Sequence, residues 1–345
     1  MFPVLSMGPE ERPTGAAPPG GMRAGVGLFL RVLRANPLSF VGFILVVLIV
    51  VTAALVVIIP AVSGALGHSV SLLPYDPNAP NPAHIFAPPS LAHPMGTDDV
   101  GQDLFSRVLA ALPTDLFIGV VIAGGALLVG GGLGLVAGYW DTPRTLGGVM
   151  SAGIMRVTDI FLAFPSLLLA LAIAASLGRG EIPSLIAVFA TWWPYYVRLT
   201  RGEVLVIRQQ PYIVAARAAG VSSGRILVRH VVRNLIEPLA VYFTLDIGTV
   251  IVTYSTISYV GIGVPQSIPE WGNMIESYQT YLLSDPGLIG FVALAIFVTV
   301  LGFSLMGDGL RDVLDPRSRR TLVTSTASTT TTPSASAPLP SAGEP

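Results

Sequence analysis

Residues 208–239 read RQQPYIVAARAAGVSSGRILVRHVVRNLIEPL, a polar, basic stretch between two apolar ones. Pro211 suits the first turn of a helix, where a backbone N–H has no intrahelical partner anyway. Gly220 falls where a C-terminal cap belongs. Ser222 or Ser223 can cap a second short helix, whose end approaches Pro238. The spacing therefore predicts a helical elbow. Arg225, Arg229 and Arg233 recur every four residues and share a face of the second helix, with Ile226, Leu227, Val231 and Leu235 on other faces. Such a helix fits lipid headgroups. It also fits a rigid element that inserts into a soluble partner.

The flanks of the elbow belong to a membrane protein. The chain has 345 residues, of which 52% are hydrophobic and only 11% charged. A soluble domain carries about a quarter charged residues. A transmembrane helix needs about 20 largely apolar residues, and six stretches qualify: residues 38–59, 116–138, 148–177, 182–199, 237–260 and 288–306. The expected fold is an all-α integral membrane bundle of six crossings. The first span starts too far into the chain, and is too long, for a cleaved signal peptide. Gly130, Gly134 and Gly138 repeat every four residues in the second span, the pattern that lets helix backbones approach closely in lipid.

Arginine sets the orientation. Arg12, Arg23, Arg31 and Arg34 precede the first span, Arg144 follows the second, and Arg311, Arg317, Arg319 and Arg320 follow the sixth. Together with Arg201, Arg208, Arg217, Arg225, Arg229 and Arg233 they mark one side, while only Arg107 and Arg179 mark the other. Both termini are therefore expected in the cytoplasm of a prokaryotic cell, with the chain in its plasma membrane. The external connection over 61–112 is proline-rich and reads as an extended lid or docking surface, with a short helix over 99–112. Residues 1–35 read as a disordered cytoplasmic segment, 36–317 as the transmembrane domain and 318–345 as a disordered Ser/Thr/Pro-rich tail.

Two absences bound the chemistry. There is no cysteine, which excludes disulfides, thiolate catalysis and Cys-ligated metal. There is no lysine either, since all 19 positive side chains are arginine. A phosphate-binding P-loop requires one, so transport is expected to draw its energy from another chain.

Within the elbow, Ala215-Ala216, three residues and then Gly220 resemble the EAA loop of ABC importer permeases. The wider resemblance is to the C subunits of dipeptide and oligopeptide permeases. It is carried by HPMGTDDVGQDLFSRVL (93–109), MRVTDIFLAFPSLLLA (155–170), PYIVAARAAGVSSGRILVRH (211–230), PEWGNMI (269–275), MGDGLRDVLDPR (306–317) and Asn36-Pro37-Leu38. It covers about residues 36–317. It implies a type I importer permease fold with six spans and a cytoplasmic coupling helix, in which Ala215, Ala216, Arg217, Gly220 and Ser222 meet the ATPase. It implies four kinds of partner: a second permease subunit, two ATP-binding cassette subunits that hold ATP and Mg, an extracytoplasmic solute-binding protein, and lipid. Trp271 and Asn273 would face the binding protein. No cofactor, metal or nucleic acid belongs to this chain. The implied solute is a di- or oligopeptide, with oligosaccharides or nickel as alternatives. Val214 stands at the position of the motif's glutamate, and Arg233 replaces a later proline.

Asp246, deep in the fifth span, is a functional candidate because an acid in lipid is costly. It fits contact with a cationic solute group such as a peptide amino terminus, a pair with an arginine such as Arg156, or a protonated acid. Arg156 and Asp159 are three apart and fit a local ion pair. Trp192, Trp193, Tyr195 and Tyr196 fit an interfacial aromatic belt. His68, His84, His93 and His230 have no metal-site spacing, and no paired acid/base cluster favours an enzyme. An ion-gradient-driven transporter is the rival, with Asp159 and Asp246 as its acids.

Overall fold

The computed structural model describes residues 36–66 and 70–314. Arg12, Arg23, Arg31, Arg34, His68, Arg317, Arg319 and Arg320, and with them both expected tails, lie outside the described residues.

Helix α1 (Pro37–Ala65) begins at Asn36, whose side-chain oxygen accepts from the Leu38 N–H at 3.2 Å, with proline at the first helical position. Irregular chain with one 3-10 turn (Pro82–His84) leads to α2 (Leu104–Tyr139). The segment expected as a separate short helix is the first turns of this 36-residue helix, capped by Asp103, which accepts from Ser106 N–H at 2.8 Å. Then come α3 (Leu146–Leu162), α4 (Ser166–Leu177) and α5 (Glu181–Arg208). The elbow contains α6 (Pro211–Ala218) and α7 (Ser223–Ile226), followed by a π-helical turn (Leu227–Val232) that runs into α8 (Arg233–Tyr259). A short α9 (Trp271–Tyr278) precedes α10 (Pro286–Leu314).

Two expectations about helix boundaries need correction. The single span over 148–177 is two helices meeting at 87°. Pro165 explains the break: it has no N–H to donate, and it drives Phe164 out of the helical region. The second elbow helix does not end before Pro238. It continues through that proline as α8, and the wider π turn just before it takes up the disruption. The Asn234 side chain donates to the His230 carbonyl at 2.5 Å there.

Among the described residues four helices are long and apolar enough to cross a membrane, and five if the bent α3–α4 pair is one span. Helix α5 has the length, at 28 residues, but Trp192, Trp193, Pro194, Tyr195, Tyr196 and Arg198 dilute its apolar content. Its closest packing is with α2. The glycine stripe makes this possible: a Cβ at Gly130 or Gly134 would collide with the carbonyl oxygens of Trp193 or Val197, and one at Gly138 with Val204. Helix α1 lies against α10. Their ends are joined by Asn36 Nδ2 donating to Asp312 at 3.0 Å.

Candidate functional site

Three polar assemblies are stacked along the bundle: the elbow at one end, an acid in the middle, and a cap at the far end.

The elbow is bolted to the bundle by its inner face and bare on its outer one. Ile213, Ile226, Val231 and Leu235 form a separate apolar cluster with Tyr139 of α2 and with Val204 and Ile207 of α5. The Tyr139 hydroxyl donates to the Ser223 carbonyl at 2.8 Å, and the Arg217 guanidinium lies over the Tyr139 ring, 6.0 Å from its centroid. Arg208 donates to the carbonyls of Gly138 (2.7 Å), in the last turn of α2, and Asp141 (3.2 Å), just beyond it. Arg201 pairs with Asp141 at 2.8 Å. Of the predicted residues, Ala215, Arg217, Gly220 and Ser222 are exposed and Ala216 is half-buried. Gly220 has φ +76°, a left-handed conformation at the end of α6. Ser222 stands at the cap position of α7 but makes no side-chain capping bond. Arg225, Arg229 and Arg233 are exposed, and none has an acidic partner among the described residues.

Mid-bundle, Asp246 on α8 accepts from the Trp192 indole N–H of α5 at 2.6 Å. Of the alternatives for Asp246, the pair with Arg156 is not made. Tyr196, one turn beyond Trp192, is buried beside the same carboxylate. Trp192 and Tyr196 are thus interior rather than belt residues, while Trp193 packs edge-on against Phe161 and Tyr195 is exposed. Asp159 pairs with Arg198 across α3 and α5 at 2.8 Å, not with Arg156.

At the far end, Glu270 caps α9, accepting from the N–H groups of Gly272 (2.9 Å) and Asn273 (2.8 Å), and Ser255 of α8 donates to it at 3.3 Å. Asp115 of α2 accepts from the Trp271 N–H at 3.2 Å, while the Trp271 indole donates to the Val108 carbonyl at 3.2 Å. Trp271 has no exposed surface and Asn273 is buried. The expected docking role therefore does not fit their side chains: PEWGN is a clamp that ties α9 to α2 and α8. Sequence alone missed Asp115 and Glu270, because carboxylates 155 positions apart carry no spacing signal. The loop before α2 closes over the clamp. Tyr278 donates to Asp98 at 3.1 Å, Tyr281 to Asp99 at 3.3 Å, and Arg107 faces Asp98 at 3.8 Å. Burial pushes the Asp98 carboxyl above its ordinary range, against the opposing pull of the Gln102 N–H and Arg107. His93 bonds Asp103 at 2.8 Å. Among the described residues no cluster of three or more His, Asp or Glu side chains is placed to hold a metal.

Residues 130–320 match the family described as "Binding-protein-dependent transport system inner membrane component". The chain is 38% identical over 285 residues to the probable D,D-dipeptide transport system permease protein DdpC of Escherichia coli K12, covering 83% of this chain and 89% of that one. It is 36% identical to the dipeptide transport system permease protein DppC of Alkalihalophilus pseudofirmus, over 83% and 88% of the two chains. With the glutathione transport system permease protein GsiD of Pectobacterium atrosepticum it shares 39% identity over 66% and 74%. Among solved structures, the inward-facing MetNI methionine ABC transporter is similar in fold, with TM-score 0.50 and 17% identity over 61% of this chain and 96% of that one.

Proposed function

The chain belongs to the binding-protein-dependent transport system inner membrane components, and from that premise we propose that it carries di- or oligopeptides across the cytoplasmic membrane by alternating access. It is an ABC transporter permease subunit, a multi-pass membrane protein and not an enzyme. Residues 36–317 form the permease domain in this reading, with six crossings and both ends in the cytoplasm. A second permease subunit completes the path. Two ATP-binding cassette subunits bind ATP and Mg, and an external binding protein delivers the solute. Peptide as cargo is supported by the names of the two dipeptide permeases and of the glutathione permease.

The observation that carries this reading is the elbow. Its inner face is fixed to the ends of α2 and α5, while Tyr212, Val214 and Ala215 stay exposed. A push on that outer face moves the helices it is bolted to, which is what coupling to an ATPase requires. Asp246 is the path residue for a cationic solute group, supported by its half-buried place between α8 and α5.

The absence of cysteine allows a clean test. Val214→Cys, paired with single cysteines around the groove of the ATPase, is expected to form an intermolecular disulfide whose yield changes with ATP. A cysteine on exposed Leu283, at the opposite end, is expected to form none. Equal yields at the two positions would refute the coupling role.

A further inference from the structure

At the end opposite the elbow, the α4–α5 turn, the chain after α8 and α9 enclose a pocket of about 540 Å³. Small-molecule sites span about 300–1,000 Å³. Arg179 occupies the tip of the turn, between Gly178 (φ +98°) and Gly180 (φ +137°). Only glycine readily adopts both conformations, so the two residues set where the arginine stands. The turn is pinned to the opposite chain: the Gly180 N–H and the Ser184 hydroxyl both donate to the Ile262 carbonyl, at 3.3 and 3.0 Å. Arg179 is exposed and makes no ion pair among the described residues.

A second element supplies the opposite charge. Glu276 of α9 lines the same pocket, its carboxylate engaged by the Gln266 amide at 3.3 Å. Two more polar groups sit in the wall. Asn273 is buried and donates to the Val264 carbonyl at 3.3 Å. Ser258 is buried, with its hydroxyl packed against Gly263 and without a hydrogen-bond partner among the described residues. A guanidinium with no ion pair among the described residues and a carboxylate, both lining one pocket, match a solute that bears both charges.

We propose that this pocket receives a small zwitterion with free amino and carboxyl ends, its carboxylate on Arg179 and its ammonium on Glu276, as a short peptide is handed to the permease. The inference rests on the peptide reading above and adds to it the requirement for two free termini. It also gives Arg179 a use: guanidinium binds carboxylate through two parallel hydrogen bonds.

The test uses the assembled permease–ATPase complex in lipid nanodiscs, without the binding protein, and dialanine, N-acetyl-dialanine and dialanine amide as probes. Equilibrium dialysis is expected to show saturable dialanine binding, weakened by about tenfold or more in the amide and the N-acetyl form. Arg179→Gln is expected to lower dialanine affinity to that of the amide in the wild type, and to leave the affinity for the amide unchanged. Glu276→Gln is expected to do the same with respect to the N-acetyl form. Equal binding of all three probes to the wild type would overturn the proposal, and this comparison does not depend on any variant folding. So would variants that lose docking of the binding protein while holding dialanine as well as before, which would make the pocket a protein-docking surface. Import of dialanine by the complete transporter, with no dialanine held at this pocket, overturns the pocket and leaves the peptide reading standing. No import of any peptide overturns both.

Discussion

Gly220 is the residue on which the elbow turns. Its φ of +76° is left-handed, yet a Cβ there would meet nothing within 4 Å. The constraint is therefore in the backbone and not in packing. A residue other than glycine or asparagine pays about 1–2 kcal/mol for that conformation. Gly220→Val is expected to leave the helical bundle folded, by circular dichroism, while ATP-dependent uptake falls about tenfold or more. Gly220→Asn, whose side chain tolerates the left-handed region, is expected to restore most of it. Normal uptake and normal ATPase association in Gly220→Val would count against the elbow as a coupling device. Asp246 gives a second test at this scale. Asp246→Leu leaves the Trp192 N–H without its acceptor, and a lower thermal midpoint corresponding to about 1–3 kcal/mol is expected. Asp246→Asn keeps an acceptor and removes only the charge. It is expected to hold the midpoint and to reduce uptake of peptides with a free amino end relative to N-acetylated ones. Unchanged discrimination would remove Asp246 from the path. The sequence marked Gly220 and Asp246 because each is legible alone, one as a helix stop and the other as an acid in lipid. It misjudged Trp271 because burial depends on Asp115 and Val108, more than 150 positions away.

Among elements, the joint between α2, α5 and the elbow carries the most weight. Arg208 closes the end of α2 through the Gly138 and Asp141 carbonyls, and Tyr139 reaches the elbow itself. Hydrogen bonds to a charged group contribute about 1.5–3 kcal/mol, and a neutral one about 0.5–1.5 kcal/mol. Arg208→Ala is therefore expected to loosen the elbow more than Tyr139→Phe, read as faster amide exchange over Pro211–Ala218 by mass spectrometry. Equal protection in both variants would show that the apolar cluster alone holds the joint. At the far end, Asp98 makes the cap sensitive to pH. Burial raises its folded-state pKa above the ordinary value near 3.9. The folded cap thus holds the proton more tightly than the unfolded chain. Its contribution to stability is full below the ordinary value and is lost as pH rises through the folded one. Asp98→Asn, which keeps an acceptor for the Val100 and Gln102 N–H groups, is expected to flatten that part of the profile of thermal midpoint against pH. An unchanged slope would assign it to another group. Helix existence was read well from apolar runs, but the break at Pro165 and the passage through Pro238 were read the wrong way round. Both are prolines in apolar surroundings. One ends a helix and the other follows a π turn within a continuing helix.

The whole molecule has two unlike ends. Helix α2 starts at the cap and finishes at the elbow, α5 does the same, and α8 runs back from the elbow to the pocket. The bent α3–α4 pair returns the chain from the elbow end to the far end, and α5 runs from there back to the elbow. The arginines read as one side of the membrane cluster at the elbow end: Arg201, Arg208, Arg217, Arg225, Arg229 and Arg233. Such an arrangement fits a bundle that is driven from one end and loaded at the other. The absence of lysine, and with it of a P-loop, from this sequence fits the proposed drive by a separate chain. The most direct test is uptake into proteoliposomes that contain this chain, its partner permease, the ATPase subunits and the binding protein, with labelled dialanine outside. Uptake is predicted to require ATP at the elbow side, to stop when the ATPase subunits are left out, and to ignore an imposed proton or sodium gradient. Uptake that persists without ATP or ATPase and follows the ion gradient would contradict the account.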